Sequence, residues 1–414
     1  MKVPDTQHTG SRAHEGVGTP ADGMTAAERL GRAISGAVPD RVPVVPKIYV
    51  DLAAILTGRA LTEIVQEPVQ ALRALVEAGR TYRVDAVRQF HLPQRRTREV
   101  DEQVFEIDAE DNVIGRIDLL GGLVTRLEDP SFFNLRDERQ VAFNHFWSST
   151  MPLIPDLEAA ERLAIPPKEF YEEYGCGERQ RAIQEEVGFG MGLIGDCHTA
   201  TMAFLVEVRG MEQAMLDLIE APELVHVVME KGVKIAAERG KFNLDLGLRV
   251  LRINDSVGNM SVISPAHWRE FVYPHLKDLC SELHRYEPTA KLYCHICGNV
   301  LPIVDDLVDA GLDCIAPLDP LGGFTPAEVR ARVGDAVSLM GGVNTLTFVH
   351  GTPDQIIDES KRCMAEAGKG GGFVLGSGCV VPRDSRRENL EALSHAAERY
   401  GYYSATTGKL TMGA

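Results

Sequence analysis

Short runs of apolar residues alternate with longer amphipathic stretches along most of this 414-residue chain. The runs are rich in Val and Ile, as buried parallel strands are, whereas the stretches between them have helical spacing. Alternating strands and helices predict a parallel sheet with right-handed crossovers, and eight strands predict an α/β fold closed into a (β/α)₈ TIM-type barrel. The eight predicted strands are residues 42–50, 84–90, 190–196, 249–255, 290–296, 312–317, 336–343 and 372–378.

Several of the predicted helices have clear starting signals. Ser264, Thr325 and Thr352 each stand immediately before a proline, so we expect a hydroxyl cap followed by Pro at the first helical position. An open doubly wound sheet is the alternative architecture. It is disfavoured because no G-x-G-x-x-G sequence follows a strand and no Walker A motif occurs. The amphipathic stretches include residues 67–78, 211–238, 265–284 and 352–367.

About 100 residues separate the second predicted strand from the third, which breaks the regular alternation. Residues 103–107 and 113–119 flank the turn sequence Asp-Ala-Glu-Asp-Asn and predict a hairpin. We therefore predict a large insertion after the second strand, residues 91–188, that forms a hairpin and helical lid over the C-terminal face of the barrel. Residues 1–23 are polar and predict a flexible arm, and residues 24–414 predict a single barrel domain.

The composition limits the kinds of molecule that the protein is expected to bind and the compartment in which it is expected to occur. The formal net charge is −17, which disfavours nucleic acids and anionic membranes. No apolar run approaches the length that spans a bilayer, and the N-terminus has no secretory apolar region. Eight cysteines are too few for a disulfide scaffold in a chain of this length. We therefore expect a cytoplasmic protein, and the remaining question is whether any of its cysteines are metal ligands.

One group of residues has the spacing of a metal site. His295 and Cys297 end the fifth predicted strand, and residues two apart in a strand point the same way. Cys379 ends the eighth predicted strand, so barrel closure would bring it to the same rim. One imidazole and two thiolates suit Zn²⁺, and three protein ligands leave a position open for substrate. The group therefore predicts a catalytic zinc site, although an H-x-C tripeptide alone also occurs in ordinary buried cores.

Other polar residues lie near predicted strand ends. Asp255, Tyr293 and Asn344 are the candidates for catalytic or substrate contacts, and Asp319 is a further candidate for orienting a ligand. A helix cap or a loop hydrogen bond is an equally good interpretation of the Asp and Asn residues. His91 and His198 follow the second and third strands, where a structural histidine is the better interpretation.

Four segments make the sequence resemble a known superfamily. They are Ile263-Ser-Pro-Ala-His-Trp-Arg-Glu-Phe-Val-Tyr-Pro274, His295-Ile-Cys-Gly-Asn299, Gly334-Asp-Ala-Val-Ser-Leu-Met-Gly-Gly-Val-Asn344, and Gly378-Cys-Val-Val-Pro382 with Glu388-Asn389. The chain resembles the uroporphyrinogen decarboxylase-like superfamily over residues 40–402. Within it, the H-x-C…C pattern resembles the zinc-dependent, corrinoid-linked methyltransferases, such as methylcobalamin:coenzyme M methyltransferases and O-demethylase methyltransferases.

This resemblance implies zinc at His295, Cys297 and Cys379, and transfer of a methyl group between a small thiol or methyl ether and cobalamin. The cobalamin would be carried by a separate corrinoid protein, because Asp196-Cys-His-Thr-Ala-Thr201 departs from the corrinoid motif D-x-H-x-x-G. A homodimer is a further expectation, since such barrels often pair through outer helices.

Two alternatives remain open. The first is a metal-free lyase that decarboxylates a porphyrinogen-like acid. It is disfavoured because the first predicted strand lacks the arginine pair with which the decarboxylases hold substrate carboxylates. The second is a non-catalytic binding scaffold, which would have a closed four-ligand zinc site or none.

Overall fold

The structure is a computed structural model that describes residues 23–188 and 190–412. The predicted flexible arm, residues 1–23, lies outside the described residues except for Gly23. Within the described part of the chain, no helix is both long and apolar enough to cross a membrane.

A curled sheet of seven parallel strands forms the centre of the fold, in the order β1-β7-β8-β9-β10-β11-β12. All seven strands fall within or overlap predicted runs, so the prediction of an α/β fold with a parallel sheet is confirmed. Each strand is buried along most of its length, as sheets covered on both faces require. The strands are β1 (Ala86–Gln89), β7 (Gly192–Thr199), β8 (Val250–Asn254), β9 (Lys291–His295), β10 (Cys314–Leu318), β11 (Ser338–Val343) and β12 (Phe373–Ser377).

The predicted first strand, residues 42–50, is the exception. Its N-terminal part is extended: the Val45 N–H donates to the Leu375 carbonyl of β12 at 2.8 Å, and the Val44 carbonyl accepts from the Asp85 N–H at 2.8 Å. It makes isolated bridges instead of a continuous ladder, because Pro43 and Pro46 have no N–H to donate. The sheet therefore has seven strands instead of the predicted eight, and residues 42–48 lie hydrogen-bonded between its two edges.

Eighteen α-helices occur among the described residues. A π-helical turn, Trp268–Val272, joins α12 to α13. The helices are α1 (Ala26–Ile34), α2 (Val50–Thr57), α3 (Leu61–Gln66), α4 (Pro68–Thr81), α5 (Glu138–Ala142), α6 (Leu157–Glu161), α7 (Lys168–Glu173), α8 (Cys176–Val187), α9 (Met202–Arg209), α10 (Met211–Glu220), α11 (Pro222–Asp245), α12 (Pro265–His267), α13 (Tyr273–Tyr286), α14 (Val304–Asp309), α15 (Pro326–Val333), α16 (Thr345–His350), α17 (Pro353–Ala367) and α18 (Arg387–Tyr400).

The predicted helix starts are confirmed. The Ser264 hydroxyl accepts from the His267 N–H at the start of α12. Thr325 and Thr352 form capping boxes with Glu328 and Gln355, at the starts of α15 and α17. Each helix has Pro at its first position, where a missing N–H costs no hydrogen bond. The predicted helix 211–238 is instead two helices, α10 and α11, because the chain leaves the helical conformation at Ala221, immediately before a proline.

A second, five-stranded sheet lies in the chain between β1 and β7. Its strands are β2 (Arg96–Val100), β3 (Gln103–Ile107), β4 (Val113–Asp118), β5 (Val124–Leu127) and β6 (Trp147–Ser148), in that order. The predicted hairpin is confirmed as the antiparallel pair β3–β4. Helix α5 lies in the chain between β5 and β6, and α6 to α8 follow β6, all within the predicted insertion of residues 91–188.

The buried apolar residues form two clusters, one large and one small. The large cluster fills the space between the sheet and the surrounding helices and extends under the second sheet. The small cluster includes Ala86, Tyr293 and Met340 from the central sheet and Leu30 and Ile34 from α1. Helix α1 therefore packs inside the curl of the sheet and closes one end of it, while the carboxyl ends of the strands gather at the other.

The approach of β10 to β11 requires glycine at position 341. Gly341 has a φ of +121°, and a Cβ there would lie 2.7 Å from the backbone nitrogen of Leu318. We expect Gly341→Ala to lower the free energy of unfolding by about 3 kcal/mol, as the sum of backbone strain and overpacking. Gly323 is the matched control: its φ is +79° but the space around it is open, so Gly323→Ala should cost only about 1 kcal/mol. Urea unfolding measures both, and equal losses would contradict the packing argument.

Candidate metal centre

The three predicted metal ligands meet in space. His295 ends β9, Cys297 lies two residues beyond it, and Cys379 lies two residues beyond the end of β12. One ring nitrogen and the two sulfur atoms all lie within 4.8 Å of one another, and His295 Nε2 is 3.8 Å from Cys379 Sγ. His295 is buried and both cysteines are half-buried. The curl of the sheet thus brings together residues that are 82 positions apart in the sequence.

Three hydrogen bonds fix the loops that carry these residues. The Asp319 carboxylate accepts from the N–H of Gly298 at 2.8 Å and from that of Leu321 at 3.0 Å. The Ser377 hydroxyl donates to the Cys379 carbonyl at 2.6 Å. Asp319, a candidate for orienting a ligand, therefore holds the turn after Cys297 through its backbone.

The two thiols differ in their tendency to ionise. The neighbouring Cys297 thiol lowers the pKa of Cys379 below its ordinary value. The neighbouring Cys379, together with burial, raises the pKa of Cys297 above its ordinary value. A cation between the two sulfur atoms would favour ionisation of both thiols.

Lys47 is a functional candidate that the sequence reasoning missed. Its Nζ lies 2.6 Å from His295 Nε2. Burial, with the nearby Arg252 and Arg88, lowers the pKa of Lys47 well below its ordinary value. The one available signal was a single lysine within an otherwise apolar run, residues 42–50.

A cavity of about 700 Å³ lies beside the ligand group. Its boundary includes immediate neighbours of the ligands: Lys47, Ser256, whose carbonyl is 3.8 Å from Cys297 Sγ, and Val380. The second sheet also contributes, through the turn residues Leu120, Gly121 and Gly122 between β4 and β5 and through Val124 of β5. His145 contributes from the short helical turn before β6. The polar or charged lining residues are Lys47, Tyr49, Asp51, His145, His198, Arg252, Asn254, Ser256, Arg383 and Asp384.

Two buried arginines lie near the cavity. Arg252 pairs with Asp196 at 2.8 Å and lines the cavity. Arg88 lies close enough for its charge to act on Arg252 and Lys47, and burial lowers its pKa to about 10. Its Nη1 has no hydrogen-bond partner within the described residues. This cluster of positive charge suits an anionic group, and sequence spacing did not indicate it because the two arginines lie on different strands.

Comparison with known proteins decides the family. A family model described as Uroporphyrinogen decarboxylase (URO-D) matches residues 150–400, more than half of the chain. The chain belongs to the URO-D family. The resemblance inferred from the sequence is thereby confirmed.

Curated relatives of this URO-D protein carry two kinds of name. The chain is 24% identical over 204 residues to a methylated-thiol–coenzyme M methyltransferase from Methanosarcina mazei, an alignment covering 48% of this chain and 51% of the relative. It is 24% identical over 221 residues to a methylcobamide:CoM methyltransferase from Methanosarcina barkeri, covering 53% and 62%. It is also 26% identical over 185 residues to a uroporphyrinogen decarboxylase from Hahella chejuensis, covering 42% and 48%. The chain thus matches about half to three fifths of their lengths.

A solved structure supports the same fold. A methyltransferase from Methanosarcina mazei superposes with a TM-score of 0.61 at 19% identity, covering 91% of this chain and 98% of that one. At this identity the likeness establishes the fold of the URO-D protein, and its chemistry must be argued from the site.

Of the three residues predicted to be catalytic, none lines the cavity. The Asp255 carboxylate accepts from the Ala203 N–H at 2.6 Å and joins β8 to α9. The Asn344 side chain caps α16 by accepting from the Leu346 N–H at 2.9 Å. Tyr293 lies inside the curl of the sheet, where burial raises its pKa to about 12. Their predicted catalytic roles are not tested by this placement, and the contacts at Asp255 and Asn344 match the capping interpretation.

The two predicted structural histidines have different surroundings. His91 is buried against the edge of Phe242, with ring centroids 5.6 Å apart. Burial lowers its pKa to about 3, so His91 is a neutral residue of the core. His198 instead lines the cavity beside His145, and burial holds its pKa well below the ordinary value.

Asp255 should make stability depend on pH. Burial raises its pKa to about 6 in the folded protein, against about 3.9 in an unfolded chain. Between those values the folded state holds a proton that the unfolded state has lost, so stability falls as pH rises. Relative to Asp255→Asn, the free energy of unfolding of the natural protein should fall by about 2 kcal/mol from pH 4 to pH 7. Urea unfolding of the natural protein and of Asp255→Asn at several pH values measures this difference. The same pH dependence in both proteins would contradict the prediction.

Proposed function

We propose that the protein is a zinc-dependent methyltransferase. It moves a methyl group between a small thiol or methyl ether and a cobalamin carried by a separate corrinoid protein. The observation that carries the proposal is the convergence of His295, Cys297 and Cys379 within 4.8 Å beside a cavity of about 700 Å³. The methyltransferases among the relatives support the same class of reaction.

The donor set fits zinc. Two thiolates and one imidazole are ligands that Zn²⁺ prefers, and a set of three leaves one position for a reactant. When bound, zinc would hold a thiol as its nucleophilic thiolate or act as a Lewis acid toward an ether oxygen. Cys297 already lowers the pKa of Cys379, so the Cys379 thiol ionises more readily at the point where a cation would bind.

The surrounding residues would bind and shield the small molecule. Arg252, held by Asp196, presents a fixed positive charge at the cavity wall. Lys47 brings a second nitrogen next to His295. We propose that the second sheet acts as the lid, supported by the position of Leu120, Gly121, Gly122 and Val124 at the cavity. We also propose that residues 42–48 occupy the position of the eighth strand of a barrel, supported by their hydrogen bonds to β12 and Asp85.

The test is methyl transfer with free methylcobalamin and a panel of small thiols under anaerobic conditions. The thiol sulfur forms a bond to the methyl carbon, the carbon–cobalt bond breaks with its electron pair left on cobalt as Co(I), and the thiol proton passes to solvent. We expect loss of methylcobalamin absorbance together with a thioether product detected by mass spectrometry. A second experiment tests transfer in the opposite direction, from a methyl ether to cobalamin. It supplies cob(I)alamin together with methyl ethers and measures the demethylated alcohol or phenol.

A decarboxylase is the second candidate, and the buried pair Arg88 and Arg252 favours it, because such a pair suits a carboxylate. That reaction needs no metal. Release of carbon dioxide from a carboxylated porphyrinogen, unchanged after zinc is removed, would support it. If zinc-loaded protein also transferred no methyl group in either direction, the methyltransferase proposal would be wrong.

A further inference from the structure

A second group of metal-ligand side chains lies on another part of the same cavity wall. His145, His198 and Glu207 each offer a ligand atom within 4.8 Å of the others. They come from different elements: a short helical turn before β6, the end of β7, and α9. Both histidines line the cavity. None of the three belongs to the thiolate group described above.

Hydrogen bonds hold Glu207 and His145 in place. One carboxylate oxygen of Glu207 accepts from the Thr199 hydroxyl at 2.6 Å and from the Asn144 amide at 3.0 Å. The other oxygen lies 2.6 Å from His145 Nδ1, and His145 Nε2 lies 3.3 Å from the Tyr49 hydroxyl. The contacts from Thr199, Asn144 and Tyr49 come from outside the group, and outer contacts of this kind fix the orientation of metal ligands.

The backbone at His198 is distorted in a way that aims its ring. His198 has a φ of +67°, which is uncommon for a residue other than glycine. The pairing of β7 with β8 also shifts register between Asp196 and His198, and such irregularities often redirect a side chain next to a functional site. The His198 ring lies 4.5 Å from the His145 ring, centroid to centroid, and within the described residues no hydrogen bond to it occurs.

We propose that His145, His198 and Glu207 bind a second divalent transition-metal cation. Two imidazoles and one carboxylate suit Fe²⁺, Co²⁺ or Zn²⁺ and leave positions open toward the cavity. Thr199 pairs with Asn254, and Asn254 with His295, so two strand spacings, about 10 Å, separate the backbones of the strands that carry His198 and His295. This harder site takes an oxygen anion of a bound molecule, whereas the thiolate site takes a softer atom. The proposal does not depend on the methyl-transfer function.

The experiment titrates metal-depleted protein with Co²⁺ alone. Bound cobalt is counted by elemental analysis after gel filtration, and visible spectra distinguish the sites, because only the thiolate site produces intense sulfur-to-cobalt bands. We expect two ions per chain. His198→Ala and Glu207→Gln should each reduce this to one and keep the sulfur bands, whereas Cys379→Ser should remove those bands and keep one ion.

The matched control is His284→Ala. His284 also pairs with a carboxylate, that of Asp313 at 2.9 Å, but does not line the cavity, so this variant should still bind two ions. A natural protein that binds one ion with full sulfur bands, and is unaffected by His198→Ala or Glu207→Gln, would overturn the inference. The contacts would then be those of a metal-free His–Glu pair, and the proposed methyltransferase site would stand. A natural protein that binds cobalt without any sulfur-to-cobalt bands would instead count against the thiolate site.

Discussion

Cys379→Ser should lower the zinc content by one ion per chain and reduce methyl transfer by more than about 100-fold. Loss of an outer contact to a metal ligand already costs about 10- to 100-fold in metal affinity or activity, so loss of a ligand should cost more. His295 and Cys297 would remain within reach of each other, but two donors hold zinc far less firmly than three. Elemental analysis and the methylcobalamin assay measure the two effects.

Cys294→Ala provides the control for this prediction. Cys294 precedes His295 on β9, but it is buried in the large apolar cluster between the sheet and the helices. Burial raises its pKa well above the ordinary thiol value, so it is poorly suited to bind a metal. The control should keep its zinc and its activity. Equal loss in both variants would indicate a general effect of cysteine removal, and full activity of Cys379→Ser would contradict the proposed ligand set.

The convergence of His295, Cys297 and Cys379 could be predicted because it depends on local rules. The alternation of side chains along a strand places His295 and Cys297 on one side, and the carboxyl ends of parallel strands meet at one edge. Lys47, Arg252 and His145 could not be found in this way. The position of Lys47 depends on the course of segment 42–48, that of Arg252 on strand β8, and that of His145 on the turn before β6. No short-range spacing in the sequence encodes the distances between these elements.

The fold shows the same division between local and long-range information. Seven strands were predictable from apolar runs, and the capped helix starts from a hydroxyl residue followed by proline. The segment 42–50 was misjudged because its apolar content suggested a strand while Pro43 and Pro46 removed the donors that a ladder needs. The helix break at Ala221 has a similar cause, since Pro222 restricts the residue before it.

Asp85 anchors the segment 42–48 to the rest of the fold. Its carboxylate is buried and receives hydrogen bonds from Arg29 at 2.6 Å, from Arg41 at 2.8 Å and from the Val44 N–H at 2.7 Å. Asp85 therefore ties α1 and the extended segment to the edge of the sheet. Lys47 lies three residues beyond Val44, so the same carboxylate positions the chain that reaches the candidate metal centre.

Asp85→Ala should lower the free energy of unfolding by about 3–5 kcal/mol, because it leaves buried arginine charge without its partner. Arg29 would keep Asp40, at 2.6 Å, but Arg41 would lose its carboxylate. Urea unfolding at pH 7 measures the loss, and amide hydrogen exchange at Val44 and Lys47 should become faster. Asp305→Ala is the control: it removes an exposed pair with Arg332 and should leave stability unchanged within error. Equal stability of the two variants would show that Asp85 does not anchor the segment.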